Sequence, residues 1–103
     1  MNFPRIFRVR QTFERTRVAN IAEEVHRELN RLNLGQRVQR GQSVAITAGS
    51  RGIANIDTII RATVEFFKGL GAQPFIVAAM GSHGGATPEG QRGILASYDI
   101  TEA

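Results

Sequence analysis

The 103-residue chain has no cysteine and no tryptophan, one tyrosine, one lysine and two histidines. Without cysteine it can form neither a disulfide framework nor a thiolate metal centre. No apolar run approaches the roughly 20 residues that a membrane helix needs. The start, Met1-Asn2-Phe3-Pro4-Arg5-Ile6, lacks the long apolar segment and small-residue cleavage site of a secretory signal. These absences lead to the expectation of a cytoplasmic protein with no membrane partner. Low-complexity tracts, internal repeats and linkers are also missing. With 42% hydrophobic and 21% charged residues the composition is that of a folded domain, not of a disordered segment. At this length it is one domain or a piece of one, with a modest core.

What the chain has in excess is arginine. Twelve of its thirteen basic residues are Arg, and the formal net charge is +4. Most of them fall between Arg5 and Arg40, near Phe3, Phe7 and Phe13. A basic, aromatic arm of this kind raises a nucleic-acid reading. Against it, Arg8, Arg10, Arg15 and Arg17 are interspersed instead of forming a block. Arg27 and Arg31 accompany Glu23, Glu24 and Glu28 on a helical pattern, as i,i+4 pairs on a solvated face would. Nucleic acid is therefore the less favoured partner. Arginine also grips carboxylates and phosphates bidentately, so an anionic small ligand or acidic partner domain fits as well.

Residues 3–10 alternate apolar and polar side chains, as a short strand or an extended arm does. Thr16 is expected to cap a helix reaching about Leu34, with Val18, Ile21, Ala22, Val25, Leu29 and Leu32 on its apolar stripe and Gly35 just beyond its end. His26 sits on the flank of that stripe and reads as a helix-surface residue. Ser43–Thr47 reads as a buried strand. Asn55 is expected to cap a second helix that buries Ile56, Ile59, Ile60, Val64 and Phe67 and stops at Lys68-Gly69-Leu70-Gly71. Pro74–Ala79 reads as the next buried strand. Thr87 and Pro88 open a third helix running to about Ser97, in which Gly90 and Gly93 point to a short element or a close packing contact. The tail from Tyr98 to Ala103 looks like the approach to another element.

The expected fold is α/β, a three-layer, mainly parallel sheet with βαβ units (Rossmann-like), incomplete at this length. Residues 1–17 form an extended arm and residues 18–103 the order α-β-α-β-α. Strand, helix and strand within about thirty-five residues form a βαβ unit, hence a parallel sheet with a right-handed crossover. Two glycine loops follow its strands: Gly49-Ser50-Arg51-Gly52 and Gly81-Ser82-His83-Gly84-Gly85. In a parallel sheet both leave the same edge, where open α/β sheets bind ligands.

The first loop offers backbone N–H groups, a hydroxyl and a guanidinium ahead of a helix, a donor set suited to phosphate or carboxylate. It is neither a Walker loop nor a dinucleotide fingerprint; the bland alternative is a tight turn with Arg51 in solvent. In the second loop His83 can serve as acid/base, as ligand donor or, less readily, as metal ligand. The two histidines and scattered carboxylates show no metal-ligand spacing. Ser50 and Ser82 lack a nucleophile-elbow context, and no Ser-His-Asp set is suggested.

The stretch Ala48-Gly49-Ser50-Arg51-Gly52-Ile53-Ala54-Asn55, followed by Met80-Gly81-Ser82-His83-Gly84-Gly85-Ala86-Thr87-Pro88-Glu89-Gly90-Gln91, resembles the N-terminal domain of the lactate racemase family, the enzymes that depend on a nickel-pincer nucleotide. The resemblance is clearest from about Val44 to Ala103 and loose over residues 1–40. It implies an isomerase that inverts or oxidises the carbinol carbon of a 2-hydroxy acid, with hydride exchanged with the cofactor's pyridinium while histidines move the hydroxyl proton. His83 falls on one of the family's two acid/base histidines. Ala48, Gly49, Ser50 and Arg51 fall on the first cofactor-binding loop. Lactate racemases often begin that loop with an acidic residue, so Ala48 implies a divergent member acting on another hydroxy acid or gripping the cofactor differently. The resemblance puts the second histidine, the cofactor-carrying lysine and the nickel-ligating histidine beyond Ala103, and Lys68 does not match that lysine. The chain is thus expected to be an N-terminal fragment, inactive alone, whose partner is the missing C-terminal domain or a second copy. The alternatives are a non-catalytic α/β module binding a phosphate- or carboxylate-bearing ligand, and a basic nucleic-acid-binding domain with steeply salt-dependent affinity.

Overall fold

The structure, a computed structural model, describes residues 1–102; Ala103, at the end of the expected tail, lies outside the described residues. The chain is mixed α/β. Helix α1 (Ile21–Asn30) is followed by strand β1 (Ser43–Ala48), helix α2 (Ile56–Gly69), strand β2 (Gln73–Ala78) and helix α3 (Pro88–Ser97). A short 3-10 turn lies at Leu34–Gln36 and a tight turn at His83–Ala86. No helix among the described residues is long and apolar enough to cross a membrane.

β1 and β2 pair in parallel, from Ser43 opposite Gln73 to Ala48 opposite Ala78. Two further bonds extend the ladder, Gln73 N–H to the Gln42 carbonyl and Ala79 N–H to the Ala48 carbonyl, both 2.8 Å. This register puts Ile46 beside Ile76 and Ala48 beside Ala78 on one face, and both helices α2 and α3 cover that face. The core is Ile46, Ala48, Ile56, Ile60, Met80, Leu95 and Ile100.

The opposite face of the sheet is open. Ala45, Thr47, Phe75 and Val77 are exposed there, Phe75 by 51%. Neither strand is therefore the fully buried strand expected from its composition. An apolar run does not reveal which of its faces the rest of the chain covers, and here the helices cover only one.

α1 begins later than expected. Asn20, not Thr16, is its cap, its side chain accepting the Glu23 N–H at 3.1 Å. It ends at Asn30, so Val18 and Leu32 lie outside it and are exposed. Its charged pairs run i,i+3 (Glu24 with Arg27, Glu28 with Arg31), with Arg27 also beside Glu28, and not i,i+4. The Arg27 guanidinium, by its hydrogen bond, holds the Glu24 carboxyl below its ordinary pKa.

α1 packs on α2, not on the sheet. α2 consequently buries Ala62 and Phe66 as well as Ile56 and Ile60, whereas Ile59, Val64 and Phe67 are only half-buried. His26 belongs to this contact. Its Nε2 lies 3.1 Å from the Ala62 carbonyl, and its ring meets Phe66 edge-on at 5.8 Å.

Both later helices end in Schellman caps. After α2 the left-handed residue is Gly71, with Ala72 N–H bonded to the Phe67 carbonyl at 3.1 Å. After α3 it is Asp99, with Ile100 N–H on the Leu95 carbonyl at 3.0 Å. The second cap folds Ile100 back into the core. Residues 1–17 form no regular element, and Phe3, Ile6, Phe7 and Val9 are at least 75% exposed. The Cα radius of gyration is 18.9 Å, against about 13 Å for a compact chain of this size.

Candidate functional site

Because the strands run parallel and in register, the segments after Ala48 and Ala78 leave the same edge side by side. The first holds Gly49, Ser50 and Arg51 ahead of α2. The second passes through Met80, whose buried side chain anchors it to the core, and turns at Gly81 into His83.

The two loops meet at the imidazole. Ser50 Oγ is hydrogen-bonded to His83 Nδ1, and an Arg51 guanidinium nitrogen lies 2.8 Å from His83 Nε2. A guanidinium has no acceptor, so Nε2 must present its lone pair to Arg51. Nδ1 then carries the proton and donates it to Ser50 Oγ. The arrangement selects one tautomer of a neutral imidazole, with the Nε2 lone pair directed at Arg51. Ser50 and His83 are half-buried and Arg51 is exposed, so the cluster is a shelf open to solvent. Among the described residues no carboxylate bonds to it, so this is no Ser-His-Asp triad.

The sequence-predicted site residues are brought together unequally. Gly49, Ser50, Arg51 and His83 lie at one edge. Ala48 is different: its side chain is 1% exposed in the core, and its carbonyl accepts the Ala79 N–H. It sets where the loop leaves the sheet and offers no side chain to a ligand. Asn55 does precede α2, but in a left-handed conformation (φ 57°), and its side chain makes no capping bond. The first-turn N–H groups of α2 therefore receive no side-chain cap from it.

The loop around His83 is held from α3. Thr87 caps α3 as expected, accepting the Gly90 N–H at 3.1 Å, and donates to the Gly84 carbonyl at 3.2 Å. Gly84, Gly85 and Ala86 are all left-handed. Gln91 reaches from α3 to the loop, a contact that sequence reasoning missed. A glutamine in the first turns of a helix normally faces solvent, and nothing in its spacing distinguishes it. His26 takes no part in this cluster and lies against Ala62 and Phe66.

Hollows also lie elsewhere. One of about 400 Å³ runs beneath α3 along Ile76, Leu95 and Ile100, and one of about 690 Å³ lies between the starts of α1 and α2. Among the described residues no group of three or more His, Cys, Asp or Glu side chains is placed to hold a metal. No family model matches this chain, and no curated protein or solved structure matches it.

Proposed function

We propose that this chain is the N-terminal part of a 2-hydroxy-acid racemase or epimerase that uses a nickel-pincer nucleotide, with His83 as acid/base and the Ala48–Arg51 segment as its first cofactor-binding loop. The supporting observation is the convergence of Ser50, Arg51 and His83 from two loops onto one imidazole. The open sheet face, with Phe75 and Val77, supports the finer architecture: a three-layer, Rossmann-like sheet needs helices on that side too.

The donor chemistry fits the anionic part of such a cofactor. Ser50 Oγ, the Arg51 guanidinium and uncapped N–H groups at the start of α2 are hydrogen-bond donors suited to a phosphate. When bound, the cofactor supplies the acceptor for hydride from the carbinol carbon. His83 takes the hydroxyl proton at Nε2, the nitrogen whose lone pair faces Arg51, and returns it when the carbon is reduced again. Ser50 keeps Nδ1 protonated and so leaves Nε2 as the base. Arg51 has to release Nε2 before that transfer. A substrate carboxylate, a stronger partner for a guanidinium than an imidazole lone pair, draws it away and is thereby anchored beside the base.

The test is conversion of a panel of chiral 2-hydroxy acids by the product of the gene's whole reading frame, with the nickel-pincer nucleotide supplied, beside its His83→Ala variant. Turnover that disappears in His83→Ala supports the reading. Absence of turnover, with phosphate or carboxylate still perturbing Ser50 and Arg51, favours the alternative: a non-catalytic module that binds an anionic ligand through the same donors.

A further inference from the structure

Gln91 belongs to neither glycine loop. It stands on α3, half-buried, and its side-chain amide nitrogen donates to the Gly81 carbonyl at 2.8 Å and to the carbonyl of His83 itself at 3.2 Å. The amide carries two N–H donors, so one side chain serves both acceptors, and two carbonyl partners fix which way the amide faces.

The loop needs holding. Gly84 (φ 64°, ψ 26°) and Gly85 (φ 68°, ψ 18°) are followed by Ala86 at φ 57°. Three successive left-handed residues are rare, and a non-glycine residue among them persists only where its surroundings over-determine it. The downstream half is fixed by the Thr87 hydroxyl on the Gly84 carbonyl and by close approach of Gly84 to Gly90. The upstream half, which carries the imidazole, is tied to α3 by Gln91.

We infer that Gln91 is a positioning residue: it fixes the backbone at His83 so that the imidazole stands between Ser50 and Arg51 in a single tautomer. Its side-chain hydrogen bonds go to the loop backbone, not to the ring. The consequence for turnover rests on the proton-transfer reading of His83, but the clamp itself does not.

The experiment uses the 15N-labelled chain and its Gln91→Met variant, close in shape but without donors. Three quantities are read: the urea midpoint, amide exchange along the chain, and the ring 15N shifts of His83, which report the share of the Nδ1–H tautomer. Ser50→Ala serves as the positive control for tautomer loss. In Gln91→Met, exchange at Gly81–Gly85 should rise by about tenfold or more. The His83 ring should move toward the Nε2–H tautomer, while β1 and α2 keep their protection. Gln91→Asn, shorter by one methylene and able to reach one carbonyl at most, should fall between, and it decides the matter should Gln91→Met not fold. Unchanged ring shifts and loop exchange would overturn the inference. So would a rise spread evenly over β1, α2 and the loop, because Gln91 would then be a general structural support. An intact clamp with turnover that survives His83→Ala would refute the functional reading and leave the positioning role standing.

Discussion

Gly84 and Gly90 are packed backbone to backbone: a Cβ on Gly90 would stand 1.9 Å from the Gly84 carbonyl oxygen. The contact joins the His83 loop to the first turn of α3 and leaves no room for a side chain. Gly93, one turn further along the same helix, has nothing within 4 Å of where its Cβ would be.

The two glycines should therefore respond oppositely to alanine. Gly93→Ala should stabilise the chain by about 0.5–1 kcal/mol, the ordinary gain from removing a helical glycine. Gly90→Ala has the same intrinsic gain but must push the Gly84 backbone aside, at an overpacking cost of about 1–3 kcal/mol. Urea unfolding of both variants reads the difference. A stabilised Gly90→Ala would mean that the loop does not rest on α3.

Ala86 completes the left-handed run at φ 57° without being glycine. That conformation costs an L-residue about 1–2 kcal/mol, and glycine returns roughly 0.5–1 kcal/mol of it as unfolded-state entropy. Ala86→Gly should thus raise stability slightly, by about 0.5 kcal/mol. Ala86→Val should lower it, since a β-branched residue fits this region worst. If both variants destabilise equally, packing and not backbone conformation governs the position.

Arg51 is exposed, so its loss should leave the fold intact while abolishing its partnership with His83. A hydrogen bond to a charged group is worth about 1.5–3 kcal/mol, so Arg51→Ala should weaken phosphate or 2-hydroxy-acid binding by roughly 10- to 150-fold. Arg51→Lys should recover only part of this, because an ammonium cannot form the planar two-point contact. Titrations followed at the Ser50 and Gly52 amides separate the cases. Equal affinity in all three proteins would remove Arg51 from the ligand site.

Much of this arrangement was legible in the residues, because the signals were local. A β-branched run, a basic helix end with Gly71 and the Thr87-Pro88 pair each act over a few residues, and both strands, α2 and α3 fell close to where those signals put them, although Asn55, expected to cap α2, makes no capping bond. That the Ser50–Arg51 loop and the His83 loop share an edge followed from the parallel strands; the bonds of both residues to the imidazole did not. What escaped were long-range consequences. Thr16 and Asn20 are both competent caps by residue type, and it is Asn20 that makes the capping bond. Phe66, not Phe67, is buried because α1 covers that side of α2. Ile100 enters the core only because Asp99 reverses the chain after α3. Gln91 is a surface glutamine by every local measure until the His83 loop folds against it.

The open sheet face gives the last prediction. Ile46 and Phe75 lie on neighbouring strands, one position apart in register, but on opposite faces, at 8% and 51% exposure. If the face carrying Phe75 and Val77 is uncovered in the isolated chain, the two positions should differ sharply under truncation. Ile46→Ala should cost about 2–4 kcal/mol, the transfer and cavity cost of a buried aliphatic side chain. Phe75→Ser forfeits only the partial burial that exists, and should cost under about 1 kcal/mol, while reducing self-association of an exposed apolar patch. Urea unfolding together with light scattering over a range of concentrations checks both. A Phe75→Ser cost approaching that of Ile46→Ala, growing with protein concentration, would mean that a second copy already covers this face in solution. The partner's contribution would then appear as concentration-dependent stability.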